Sequence, residues 1–120
     1  MAEHNILGKK GEELALKHLI TNKYKILNTN WRDGNLEIDI IAQKDDLLHI
    51  IEVKTRQTNY FGEPEEFITR KKQRQIIKAT DAFIEEYNIN IEVQFDIISI
   101  LCKGDNYKIH HIENAFYPLI

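Results

Sequence analysis

Two short stretches hold residues whose types and spacing can do chemistry: Leu36-Glu37-Ile38-Asp39-Ile40-Ile41 and Ile50-Ile51-Glu52-Val53-Lys54-Thr55-Arg56. Side chains alternate along a strand, so Glu37 and Asp39 share one face, and Glu52, Lys54 and Arg56 share one face. A hairpin closing symmetrically about Asp45-Asp46 sets Asp39 opposite Glu52 and Glu37 opposite Lys54, about 4.5–5.5 Å apart at Cα. Facing carboxylates repel, and the flanking Ile and Val residues raise the cost by burial. A proton, a neighbouring cation or a bound metal would relieve it.

The first helix offers a third acid. Gly8, Glu12, Ala15 and Leu19 fall along one stripe, with Gly11 beside it. Small residues there let a helix approach a sheet closely. Glu12, Asp39 and Glu52 against Lys54 leave two net negative charges, which one divalent cation neutralises. Oxygen-only donors favour Mg²⁺ or Mn²⁺ over zinc. An ion held by Asp39, Glu52 and Glu12 would activate a water and stabilise charge on a phosphoryl oxygen. Lys54 could orient that water or stabilise the transition state. That chemistry is phosphodiester hydrolysis. A glycosidase also uses two carboxylates, but it would leave the lysine two residues beyond Glu52 unexplained. The alternative is a plain salt-bridged hairpin, Glu37 with Lys54 and Asp39 or Glu52 with Arg56. The matched Asp39, the apolar strands and the placement of Glu12 favour the site.

The elements that must position these residues are legible from periodicity and turn signals. Residues from about Ile6 to Thr21 carry helical spacing, and Tyr24 to Trp31 reads as a strand. Asp33-Gly34-Asn35 is a turn, Leu36 to Gln43 a second strand, Asp45-Asp46 a turn, and Leu47 to Thr55 a third strand. Gln57 to Pro64 reads as a polar loop. Thr69 opens a helix to Tyr87 with Ile76, Thr80, Phe83 and Tyr87 on one face, and Asn88 ends it. Val93 to Leu101 and Tyr107 to Ile112 are two more strands about the turn Lys103-Gly104-Asp105-Asn106. The order αβββαββ predicts an α/β fold with a mixed five-stranded sheet, the third and fourth strands parallel across the helix.

Length and composition limit the alternatives. A chain of 120 residues suits one domain. Its 42% hydrophobic and 29% charged residues suit a folded chain. No apolar run is long enough to span a bilayer, and the start, Met1-Ala2-Glu3-His4-Asn5, lacks the pattern of a secretory signal. The lone Cys102 allows no internal disulfide and no thiolate zinc site, which points to a reducing cytoplasm. Sixteen basic against nineteen acidic residues give −3, so nucleic-acid binding would need a local basic patch.

In its motifs the chain resembles the YraN-like family, bacterial proteins of unassigned function in the restriction-endonuclease-like superfamily. Gly8-x-x-Gly11-Glu12-x-x-Ala15 looks like the family's opening motif. Asn30-Trp31-Arg32 with Glu37-Ile38-Asp39-Ile40-Ile41-Ala42 looks like the second, and Glu52-Val53-Lys54-Thr55-Arg56 the third. Phe61-Gly62-x-Pro64, Thr69-x-x-Lys72-Gln73 and Phe95-Asp96 follow in order. Leu36 stands where the family often has glycine. The resemblance implies the PD-(D/E)xK nuclease fold, similar to archaeal Holliday-junction resolvases, as a single endonuclease-like domain over residues 1–120. It implies that Asp39 and Glu52 bind metal, that Lys54 assists the attacking water and that Glu12 completes the site. The implied function is metal-dependent hydrolysis of DNA phosphodiesters, on branched or single-stranded DNA. The alternative is a catalytically inactive nucleic-acid-binding or scaffold protein that keeps the nuclease fold. DNA is the expected partner, a homodimer is compatible with this reading, and no membrane partner is expected.

The stretch Arg70-Lys71-Lys72-Gln73-Arg74 supplies the basic patch. Arg70, Lys71, Arg74 and Lys78 lie along one helix face, either a solvated stripe or a phosphate-contacting surface. Lys72 and Gln73 lie nearer the apolar face, within reach of the site edge. Adjacent His110 and His111 point to opposite faces of a strand and should not share an ion. His18 and His49 read as structural. Trp31 and Tyr24 read as core rings, with base stacking the alternative. Asp96 is expected to orient a neighbouring group outside the site.

Overall fold

The computed structural model describes residues 2–58 and 68–118. Its elements run α1 (Ala2–Thr21), β1 (Lys25–Asp33), β2 (Leu36–Lys44), β3 (Leu47–Gln57), α2 (Arg70–Tyr87), β4 (Glu92–Lys103) and β5 (Asn106–Phe116). The expected order is observed. The five strands lie in sequential order, antiparallel except for β3 and β4, which pair in parallel across the α2 crossover. The expected loop over 57–64 and the motif Phe61-Gly62-x-Pro64 lie outside the described residues from 59 on. Thr58 donates its N–H to the Cys102 carbonyl at 2.8 Å, extending the β3–β4 edge.

Local chemistry explains the boundaries. Gly34 turns β1 into β2 at φ 60, a conformation that costs glycine nothing. Leu36 can therefore begin β2 directly, opposite Asp33. Thr69 caps α2 by accepting from the Lys72 N–H at 3.2 Å. Asn88 ends the helix in the left-handed conformation, its N–H returning to the Ile84 carbonyl.

Alternating residues of the central strands feed two cores. Ala15 and Leu19 of α1 pack with Ile40, Ile51, Ile98 and Ile100. Ile76, Ala79 and Phe83 of α2 pack with Ile41, Ile50 and Phe95 on the other face. The two helices thus cover opposite faces, and the central strands read as near-continuous apolar runs. Tyr87, expected on the buried face of α2, is instead 51% exposed at its end, although its ring lies 4.7 Å from that of Phe83. The close helix–sheet approach occurs at Gly11, where a Cβ would collide with the Thr55 side chain. Gly8, expected in the same seam, is exposed and meets nothing within 4 Å.

Candidate functional site

The site arises where the β2–β3 ladder stops. Cα partners run from Lys44↔Leu47 to Ile40↔Ile51 and end there. The expected cross-strand pairs Asp39–Glu52 and Glu37–Lys54 would lie one and three steps beyond, outside the ladder. Asp39 takes over the pairing with its side chain, its Oδ2 accepting from the Val53 N–H at 2.9 Å. Face alternation in β2 slips at this point. Leu36 and Ile38 pack with the α2-side core, whereas Ile40 and Ala42 pack with the α1-side core. Asp39 therefore stands between the two faces and can interact with acids on both.

On the α2 side it meets Glu52. The two carboxyls hydrogen-bond to each other, and burial together with the Asp39 charge pushes Glu52 up to about 8, with Lys72 and Lys54 opposing the rise. Lys72 reaches Glu52 from the first turn of α2, Nζ to Oε2 at 3.9 Å. On the α1 side Asp39 faces Glu12 across an open cleft of about 310 Å³, lined by Gly8, Glu12, Asn30, Glu37, Asp39 and Thr55 among others. Burial raises the Glu12 carboxyl, and the charges of Asp39 and Glu37 add to this. A hydrogen bond from Asn30 Nδ2 to Glu12 Oε1 at 2.6 Å partly offsets the rise. Glu37 pairs with Arg32 of β1, Oε2 to Nη2 at 3.4 Å.

The structure thus brings Glu12, Asp39, Glu52 and Lys54 into one electrostatic neighbourhood, with Lys72 joining from α2. Their donor set is oxygen throughout. Arg70, Lys71 and Arg74 instead stand exposed on the helix, and Gln73 donates to the Ile68 carbonyl at 2.8 Å, bracing the entry to α2. Trp31 and Tyr24 are occupied by packing: Trp31 lies edge-on to Phe83 at 5.3 Å, and Tyr24 edge-on to His49 at 4.9 Å.

Two features had weaker sequence signals. Asn30 lies in a quoted motif, but nothing local announces that it adopts φ 50 and aims its amide at Glu12. A second polar cluster surrounds Asp96, where the aligned strands bring His49, Asp96 and Glu113 together. Their ligand atoms lie within 4.8 Å of one another, a group able to hold a metal ion. The signal was a titratable residue set within each apolar run, Leu48-His49-Ile50 and Phe95-Asp96-Ile97.

Residues 11–100 match the uncharacterised protein family UPF0102. A UPF0102 protein of Phocaeicola vulgatus is 47% identical over 120 residues, covering 100% of this chain and 99% of its own. The chain belongs to this family. Other UPF0102 relatives agree along almost the whole length: one of Christiangramia forsetii is 47% identical over 117 residues, and one of Flavobacterium johnsoniae 46% over 121, each covering 98% of both chains. The YraN-like resemblance of the motifs is thus a UPF0102 relationship. Among the described residues no helix of this UPF0102 chain is long and apolar enough to cross a membrane.

Proposed function

We propose that the chain is a metal-dependent endonuclease-like protein of the restriction-endonuclease-like class, one PD-(D/E)xK domain over residues 1–120, acting on DNA in the cytoplasm. The carrying observation is the carboxyl pair Asp39–Glu52, hydrogen-bonded to each other, with Glu52 raised by burial and by the Asp39 charge, two lysines beside it and a third acid across the cleft. Carboxylates held this close at a half-buried position cost stability, and a site for a divalent cation explains why they are kept together. The residues fit the group. Asp39, Glu52 and Glu12 offer oxygen donors suited to Mg²⁺ or Mn²⁺, and when bound such an ion activates water and stabilises charge on a phosphate. The chain's own contribution is positional. The Val53 N–H fixes Asp39, Asn30 fixes Glu12, and Lys72 lies beside Glu52 on the α2 side. Lys54 follows Glu52 on the same face of β3, placed to orient the attacking water. The exposed Arg70, Lys71 and Arg74 supply phosphate contacts along α2, with Lys72 and Gln73 at the edge nearest the site. A homodimer would present two such sites to a branched substrate.

The test compares wild type, Lys54→Ala and a triple Arg70/Lys71/Arg74→Ala variant on branched, single-stranded and duplex DNA with Mg²⁺ and Mn²⁺. Lys54→Ala is expected to lose cleavage and keep binding, because it acts on the transition state. The triple variant is expected to weaken binding on every substrate and to flatten its salt dependence, by about 0.9 in log–log slope per lost duplex phosphate contact. Binding without cleavage under all conditions favours the inactive binding or scaffold protein, a reading the acidic net charge of −3 also suits. The absence of both binding and cleavage on every substrate removes the nucleic-acid reading.

A further inference from the structure

The cluster around Asp96 has the makings of a second site of different chemistry. His49 Nδ1 and His111 Nε2 converge on one oxygen, Asp96 Oδ2, at 2.8 and 2.9 Å. Both rings are largely shielded, with side-chain exposures of 3% and 11%, and the Asp96 side chain is fully buried. The other oxygen, Oδ1, is held from behind by Gln94 Nε2 and the Asn114 N–H, each at 3.0 Å. That backing is built deliberately into the sheet. The β4–β5 register shifts between Phe95 and Ile97, and Asn114 adopts φ 55 at the irregularity, turning its N–H toward Asp96. Glu113 lies two residues after His111 and reaches the same group from the exposed rim, where the Tyr24 hydroxyl bonds it.

We propose that His49, Asp96, His111 and Glu113 form a zinc-type metal site that ties β5 to β3 and β4. Two imidazole nitrogens and two carboxylate oxygens are a donor set zinc accepts, unlike the all-oxygen group at Asp39. Neighbouring ligands of a tetrahedral zinc ion at 2.0–2.1 Å stand about 3.3 Å apart. The two His–Asp96 separations, 2.8 and 2.9 Å, need open only by a few tenths of an ångström, whereas Glu113, whose ligand atom lies within 4.8 Å of those of His49 and Asp96, moves inward, and His111 joins this trio through its contact with Asp96 Oδ2. The ion takes the place of the two ring protons directed at Oδ2, which leave to solvent or move to the other ring nitrogens. Gln94 and Asn114 stay on Oδ1 as the outer contacts that orient a ligating carboxylate. Four protein donors close the coordination, the mark of a structural site.

The full chain, stripped with a chelator, is titrated with Co²⁺ and then Zn²⁺. The expected result is the visible absorption of four-coordinate cobalt, its loss on adding Zn²⁺, and a higher melting temperature with Zn²⁺. Glu113→Gln, at an exposed position and so safe for folding, is expected to weaken Co²⁺ binding by at least ~10-fold. His111→Gln with Glu113→Gln is expected to abolish the band in a chain that circular dichroism shows folded. Asp39→Asn is expected to leave it intact, which separates this site from the proposed nuclease centre. No band in wild type, or a band that survives the double change, overturns the proposal and leaves the cluster a hydrogen-bonded brace.

Discussion

Half-buried Glu52 and fully buried Asp96 are carboxyl groups on adjacent parallel strands, and they are driven in opposite directions. Glu52 faces Asp39 and is raised to about 8. For Asp96 burial pulls the same way, yet hydrogen bonds from His111, His49, the Asn114 N–H and Gln94 hold it well below the usual carboxylate range. Burial penalises charge in both places, so the partners decide. In the metal-free chain four donors around Asp96 satisfy its charge. An acid facing an acid at Glu52 makes a strained pair, which is the condition expected of a site awaiting a cation.

The contrast can be broken most severely at Asp96. Asp96→Ala takes the acceptor from two largely shielded imidazoles, the Gln94 amide and the Asn114 N–H, and should cost about 3–5 kcal/mol, read from the urea midpoint at pH 7. A loss below ~1 kcal/mol would show that the cluster does not brace the fold. Glu52→Gln should act in the opposite sense. The folded chain holds the Glu52 proton up to about 8, against an ordinary value of 4.5. Glu52 therefore contributes stability that is complete below about 4.5 and is lost as pH rises through 8. Relative to its offset from wild type near pH 5, metal-free Glu52→Gln should gain on the order of 4 kcal/mol by pH 8.5. An equal offset at both pH values would mean that the pair is not strained. Asp96 has the reverse sign: its contribution is present above the ordinary value of 3.8 and is lost as pH falls below it.

The smallest effect should come from Lys72→Ala. The Lys72 side chain is 45% exposed and 3.9 Å from Glu52, so stability should change by no more than about 0.5 kcal/mol. Removing its charge should still let Glu52 keep its proton to higher pH, visible in a carboxyl-resolved NMR titration. An unmoved Glu52 titration would place Lys72 outside the site.

Much of this was legible because local rules control it. Gly34, Thr69 and Asn88 announce the turn and the ends of α2, and the hairpin register about Asp45-Asp46 is kept from Lys44↔Leu47 to Ile40↔Ile51. The register alone could not reveal that Asp39 replaces the next ladder bond with its own carboxylate, because alternation assumes that the strands stay paired. Gly11, not Gly8, makes the close approach because the helix rotation is set by packing against Thr55, a contact distant in sequence. The Asp96 cluster was hidden for the same reason. His49 and Asp96 meet through the parallel β3–β4 register, and α2 fixes that register across a long stretch of chain.

The claim that Asp39 and Glu52 are held together for a cation is tested most directly by Mn²⁺-dependent melting of wild type and Asp39→Asn, after chelation and with the Asp96 cluster unaltered. Metal-free Asp39→Asn should melt slightly higher than wild type, since the repulsion is gone while an amide oxygen still accepts from Val53. Mn²⁺ should then raise wild type in a saturable way, following RT ln(1 + [L]/Kd), and leave Asp39→Asn unmoved. An equal Mn²⁺ response in both proteins would place the cation elsewhere and contradict the account.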